Sequence, residues 1–194
     1  GIYMMLPLGL RVQDKVEKII RKHMNKAGSQ EVKMPALIAS EYYENSGRLQ
    51  GFGPSIFKLK DRTGKDMVLG PTHEELFAFA SKSMIRSYKD MPFNLYQIQT
   101  KFRDEPRARF GLIRVKEFVM KDAYSFDTDE QGLDVAYKKM FDAYKAIFDE
   151  IGLDYRIVKA DTGIMGGLLS EEFQAITPVG EDSVIYCDCG YSSN

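Results

Sequence analysis

The chain has 194 residues, which fits one domain of ordinary size with a substantial core. Its 44% hydrophobic and 28% charged content is that of a soluble globular protein, which excludes a disordered or fibrous chain. The formal net charge is −1, so the chain as a whole has no basic character suited to nucleic acid, and any such contact must come from local clustering.

The opening residues, Gly1 to Pro7, are apolar but carry no basic leader and are broken by Pro7 and Gly9, so they do not read as a signal peptide. With no Met at position 1, the chain reads as an excised piece. From Leu10 to Ala27 the apolar residues Val12, Val16, Ile19, Ile20 and Met24 recur at helical steps, predicting an amphipathic helix that Gly28 ends. Residues 30–35 alternate polar and apolar, as a strand does, until Pro35. Residues 40–44 predict a short helix with Ser40 as its N-cap. Residues 56–60 and 66–69 flank the turn-rich Asp61-Arg62-Thr63-Gly64-Lys65 and predict a hairpin. A helix is expected over residues 72–88, with oxygen-bearing side chains at its start.

Two long strand-like stretches follow, 93–103 and 112–124, joined by a turn with Pro106 and Gly111. Residues 131–151 predict a helix stopped by Gly152, and residues 155–158 and 183–186 predict further strands. Hairpins interrupted by irregularly placed helices indicate an α+β fold, a largely antiparallel sheet flanked by helices. No apolar run approaches a membrane span, so no membrane partner is expected. The only cysteines, Cys187 and Cys189, cannot staple a domain of this size and supply two of the four ligands a structural zinc needs. They read as free thiols in a reducing, cytoplasmic setting, and no metal site is expected.

One segment stands out on charge. Between Lys101 and Lys121 there are seven Lys/Arg against three Asp/Glu, a net of +4. Arg103, Arg107, Arg109 and Arg114 lie within twelve residues, among Phe102, Phe110 and Gly111, with Phe118 beyond. Guanidinium forks suit phosphate or carboxylate, and a hairpin can aim several of them at one polyanion. Glu105 and Phe118 add an acceptor and an aromatic face of the kind that holds a purine. The alternative is a solvated charged hairpin. No Gly-rich phosphate loop is present, so a nucleotide must be held by these side chains.

Phe102-Arg103-Asp104-Glu105, a loop, then Arg114-x-x-x-Phe118-x-x-x-Asp122 resembles motif 2 of class II aminoacyl-tRNA synthetases. The wider run Tyr96 to Glu105, with residues 109–111 and 117–126, is similar to the bacterial-type prolyl branch of that family. The helix and strand ending at Pro35 resemble motif 1, and Gly70-Pro71-Thr72-His73-Glu74-Glu75 resembles the T-x-E loop that holds the amino acid. The resemblance divides the chain into the first part of a catalytic domain over 1–186 and, over 187–194, the start of a connection to an inserted editing domain. Motif 1 falls at about 10–37, the T-x-E loop at 70–75 and motif 2 at about 95–126.

The resemblance implies ATP-dependent activation of L-proline, with Mg²⁺, and transfer to the acceptor end of tRNA(Pro), by a homodimer joined through motif 1. Arg103 is the implied catalytic residue, on the ATP α-phosphate and the substrate carboxylate. Glu105 and Phe118 are implied for adenine and Arg114 for the γ-phosphate. Thr72, Glu74, Arg103, Met120, Asp122 and Tyr124 are implied for proline, and Arg107 and Arg109 for tRNA. Read without the family, Thr72 and Glu74 are equally a helix cap, and His23 and His73 are surface or packing residues. The sequence departs from the family at Glu171, which stands where a histidine is usual after Gly166-Gly167. Motif 3, with another ATP-binding arginine, is expected to be missing, so the 194 residues alone are expected to be inactive. The alternatives are a threonyl or seryl enzyme of the same class, and a non-catalytic synthetase-like protein that binds tRNA.

Overall fold

A computed structural model describes residues 1–163, 167, 169–189 and 191–193. The chain forms two units, 1–143 and 144–194.

The first unit opens with α1 (Pro7–Lys26), whose proline sits in the first turn, where its fixed φ suits the helix and its missing N–H costs nothing. Gly28, at φ +86°, lets the chain leave in the left-handed region. Met24 is fully buried, and the Tyr96 hydroxyl donates to Asn25 Oδ1 at 2.9 Å. By contrast Leu8, Leu10 and Val12 are exposed, as are Ile2 to Leu6 before them.

Three strands form the sheet that matters for the site: β1 (Gln30–Glu31), β5 (Phe93–Phe102) and β6 (Glu117–Phe126), in the order β1-β5-β6. The β1–β5 pair is parallel and the long β5–β6 pair antiparallel. The strand expected over 30–35 is thus short, because the chain turns away after Val32 donates to the Tyr96 carbonyl. The return strand expected from Leu112 begins five residues later. Residues 106–116 form an excursion closed by an Arg109–Arg114 bridge, and pairing resumes where Phe102 meets Glu117. At its tip Phe110 and Gly111 have φ of 56° and 60°. A non-glycine residue there costs about 1–2 kcal/mol.

A smaller sheet, β2 (Leu37–Ala39), β3 (Lys58–Lys60) and β4 (Asp66–Leu69), has the order β2-β4-β3 and contains the expected hairpin. Asp61 Oδ1 accepts from the Thr63 and Lys65 amides and closes its turn. Two short helices, α2 (Glu41–Asn45) and α3 (Arg48–Phe52), lie between β2 and β3. Ser40 precedes α2 as expected, but its hydroxyl donates to the Glu44 carboxylate instead of capping the backbone. Ile38, Tyr43, Phe52, Ile56, Val68 and Leu76 make one core cluster, each burial stabilising by about 1.5–3 kcal/mol.

The helix expected over 72–88 is α4 (Glu74–Met84), with His73 rather than Thr72 at its N-cap position and no side-chain cap. Residues 70–73 are stitched between the sheets: the Gly70 amide donates to Ala36 O at 2.9 Å and the Phe102 amide donates to Gly70 O at 3.1 Å. α5 (Glu130–Ile151) matches its expected span.

In the second unit β7 (Tyr155–Lys159), β8 (Glu171–Ala175), β9 (Ile185–Tyr186) and β10 (Ser192–Ser193) form a sheet of order β8-β7-β10-β9. Tyr144, Phe148, Tyr155 and Phe173 pack ring on ring within this unit. Glu171 opens β8 opposite Lys159. The preceding Gly166 and Leu168 lie outside the described residues. Cys187 and Cys189 are exposed free thiols.

Candidate active site

The β5–β6 register decides which side chains share a face. Opposed residues in an antiparallel pair point the same way, and alternate residues repeat it. Lys101 faces Phe118, Gln99 faces Met120, Gln97 faces Asp122 and Leu95 faces Tyr124. Arg103, one step beyond Lys101, pairs its amide with the Lys116 carbonyl at 2.9 Å and so continues the same row. Arg103, Phe118, Met120, Asp122 and Tyr124 therefore stand on one face. That face is polar and buried: Gln97 and Lys101 are 0% exposed and Asp122 is 9% exposed, while Ile98 and Phe102 behind them are only half-buried.

At the outer end the Arg103 guanidinium lies over the Phe118 ring at 5.4 Å from its centroid, and an Nη donates to the Pro71 carbonyl at 3.4 Å. Arg103 is reached by solvent yet ringed by protein atoms, the position of a cleft wall. That crowding lowers its pKa from the usual arginine value, with Glu74 opposing. Glu105 and Arg114 meet each other, Arg114 Nε to Glu105 Oε2 at 3.0 Å. The Arg107 amide donates to Glu105 Oε1 at 3.2 Å, and Arg114 is the main reason the Glu105 carboxyl sits below its ordinary range. Arg107 and Arg109 are exposed on the excursion, Arg109 over the Phe110 ring at 5.1 Å.

At the inner end the residues of the Thr72–Glu74 segment join the row. Thr72 Oγ1 donates to Glu74 Oε2 at 2.6 Å and lies 3.5 Å from the Tyr124 hydroxyl. That hydroxyl donates to Asp122 Oδ2 at 2.7 Å and accepts from the His73 amide at 3.2 Å. Burial, then Glu74 and Asp122, push the Tyr124 pKa far up, so it stays a donor. Arg48 Nη1 contacts Glu74 Oε2 at 2.9 Å and Glu75 Oε1 at 3.1 Å. Tyr43 donates to the Thr72 carbonyl at 2.5 Å, fixing the segment to the core cluster. Thr72 thus spends its hydroxyl on the Glu74 side chain rather than on the backbone of α4.

Four residues of this arrangement were not singled out from sequence: Gln97, Gln99, Lys101 and Arg48. Polar residues alternating on a strand read as its wet side, whereas here they are the dry one. The signal that could have found them is the register, since Lys101 and Gln97 fall opposite two residues already in the candidate set. His73 is a packing residue as expected, but an engaged one. Lys101 Nζ lies 2.6 Å from Nδ1 and Pro35 O lies 2.9 Å from Nε2. A lysine ammonium only donates, so Nδ1 accepts and Nε2 carries the proton. Burial, then Lys101, lowers the His73 pKa and keeps the ring neutral.

The antiparallel hairpin and the Thr-x-Glu turn beside it are the two stretches whose sequences resemble motif 2 and the T-x-E loop of class II synthetases. The chain belongs to that family: the tRNA synthetase class II core domain (G, H, P, S and T) matches residues 57–190. Within it, the chain is 56% identical over its whole length to the proline–tRNA ligase of Caldicellulosiruptor saccharolyticus and 52% identical to that of Leptospira borgpetersenii serovar Hardjo-bovis. It spans about a third (34%) of the length of each of these relatives. The fold is similar to that of the Giardia lamblia prolyl-tRNA synthetase solved in complex with prolyl-adenylate. The TM-score is 0.81 at 20% identity, over 90% of this chain and 37% of the other. Among the described residues no helix is long and apolar enough to cross a membrane.

Proposed function

We propose that this chain is the first part of the catalytic domain of a proline–tRNA ligase. The whole protein joins proline to ATP as prolyl-adenylate, releasing pyrophosphate, and then passes the prolyl group to tRNA(Pro). The observation that carries this is the single row in which Arg103 and Phe118 stand directly outward of Tyr124, Asp122, Thr72 and Glu74. Glu74 and Thr72 take the proline amine, Asp122 and Tyr124 close the ring pocket with Met120, and Phe118 stacks on adenine. The proline carboxylate attacks the α-phosphate, so the protein supplies alignment and charge rather than a nucleophile. Arg103 neutralises the charge that gathers there, and Mg²⁺ enters with the triphosphate.

Glu105 and Arg114 are paired to each other, and ATP takes over both: the adenine amine replaces the cation at Glu105, and the γ-phosphate replaces the carboxylate at Arg114. Arg107 and Arg109, exposed on the excursion, meet the tRNA acceptor end. The apolar exposed face of residues 2–12 supports a homodimer through motif 1, on its α1 side; the reading puts the protein in the cytoplasm. On this reading the 194 residues hold only part of the ATP contacts, residues 187–194 lead toward an inserted domain, and the piece expressed alone is inactive.

Amino-acid-dependent ATP–pyrophosphate exchange by the full-length protein tests the proposal. Proline supports exchange, and Arg103→Ala lowers it by about 10²–10³-fold. Exchange with threonine or serine and not proline, or an unaffected Arg103→Ala variant, rejects it.

A further inference from the structure

The deepest charge in the first unit belongs to a residue that the proposed reaction does not use. Lys101 is 0% exposed, so its ammonium cannot touch a substrate. Its contacts run in two directions. Toward β6, Nζ stands 2.9 Å from Asp122 Oδ1, within ion-pair distance though off the line of a hydrogen bond. Toward the Thr72–Glu74 segment, it donates to His73 Nδ1 at 2.6 Å. One contact is with Asp122, itself proposed to close the ring pocket, and the other is one residue removed from two groups proposed to hold the amino acid, since His73 sits between Thr72 and Glu74.

We infer that Lys101 is the positioning residue of the amino-acid subsite, clamping the Thr72–Glu74 segment to β6 through His73 on one side and Asp122 on the other. The inference rests on the proline-ligase reading for the identity of the amino acid, but not for the clamp itself. Asp122 Oδ2 accepts from Gln97 Nε2 at 3.0 Å and from the Tyr124 hydroxyl at 2.7 Å. The same hydroxyl takes the His73 amide and lies beside Thr72 Oγ1, which bonds Glu74. The path from ammonium to site is therefore closed into a loop: Lys101, Asp122, Tyr124, the His73 amide, the His73 ring and back. A closed loop fixes the orientation of each member more tightly than a chain does, because no member can rotate without breaking two bonds. His73 Nε2 anchors it to Pro35 O on the far side.

A charge-balancing role alone, Lys101 offsetting buried Asp122, predicts a loss of stability and nothing more. Positioning predicts a selective effect on one substrate. In full-length protein, Lys101→Met is expected to raise the KM for proline in pyrophosphate exchange on the order of tenfold, as a sub-ångström shift at a binding group does. The KM for ATP stays within about twofold, since Arg103, Glu105 and Arg114 are not in the loop. Tyr124→Phe opens the loop elsewhere, so the double variant is no worse than the weaker-binding single. If Lys101→Met does not fold, Lys101→Arg keeps the charge beside Asp122 and moves its donors, and a smaller selective rise in the KM for proline is expected.

An unchanged KM for proline in either folded variant overturns the clamp. So do equal changes in both KM values, or additive effects of the two substitutions. If the unsubstituted protein exchanges with another amino acid, the proline reading falls, and the clamp is judged on the KM for that amino acid.

Discussion

The paired strands of the β5–β6 hairpin, its root, and the excursion beyond them both carry charged side chains and behave oppositely. On and against these strands, Lys101, Asp122, Gln97 and His73 are buried, Tyr124 is half-buried, and they answer one another's charges and hydrogen bonds. At the neck and tip, Arg103, Arg107 and Arg109 are exposed, and Arg114 and Glu105 hold each other at the surface. A lysine at the root is therefore a structural commitment, whereas an arginine at the tip can turn to a phosphate at little cost. Burial separates the part proposed to shape the pocket from the part proposed to meet the polyanion.

Four measurements break or sharpen that contrast. Asp122→Leu strands the Lys101 ammonium in the interior and should cost about 3–5 kcal/mol in urea unfolding, with Lys101→Met in the same molecule recovering much of it. A loss below about 1 kcal/mol, the range of exposed pairs, would erase the distinction. Next is Gly70→Ala. A Cβ there would stand 2.8 Å from His73 Cε1 and 2.9 Å from Ile38 Cδ1, so the ring under the site must shift. About 1–3 kcal/mol is expected from such overpacking, and an unperturbed His73 ring signal by NMR would contradict it.

Third, the folded His73 pKa lies below the ordinary 6.5, so below that pH the unfolded chain binds more protons than the folded one. Stability is therefore held above about pH 6.5 and falls as pH drops toward the folded value, and His73→Gln should flatten that slope. Smallest of all, Arg107→Ala and Arg109→Ala should each move stability by less than about 0.5 kcal/mol while weakening acceptor-end binding in the full-length protein. A large unfolding change at either would place the tip with the root.

How much of this was legible in sequence follows from the same contrast. α1 and α5 were readable because apolar periodicity reports on one packed face, and the β3–β4 hairpin because a turn-rich linker joins its strands. The arginine cluster was readable because it is exposed and dense. The root was not. Gln97, Gln99 and Lys101 look like the solvent side of a strand until their cross-strand partners are known, and the pairing begins at Glu117, not at Leu112. Ser40 and Thr72 were weighed as helix caps from their position, but side-chain carboxylates at Glu44 and Glu74 took both hydroxyls. Short pieces such as β2 and α3 carry too few residues for a period to show, and they form because the cluster around Tyr43 and Phe52 needs them.

One contact gives the amine subsite a particular temperament. Glu74 Oε2 is shared by Arg48 and Thr72, so the carboxylate proposed to take the substrate amine already has a resident cation. An arriving substrate must join or displace that resident, and its grip is set by the difference between the two partners rather than by the full strength of either.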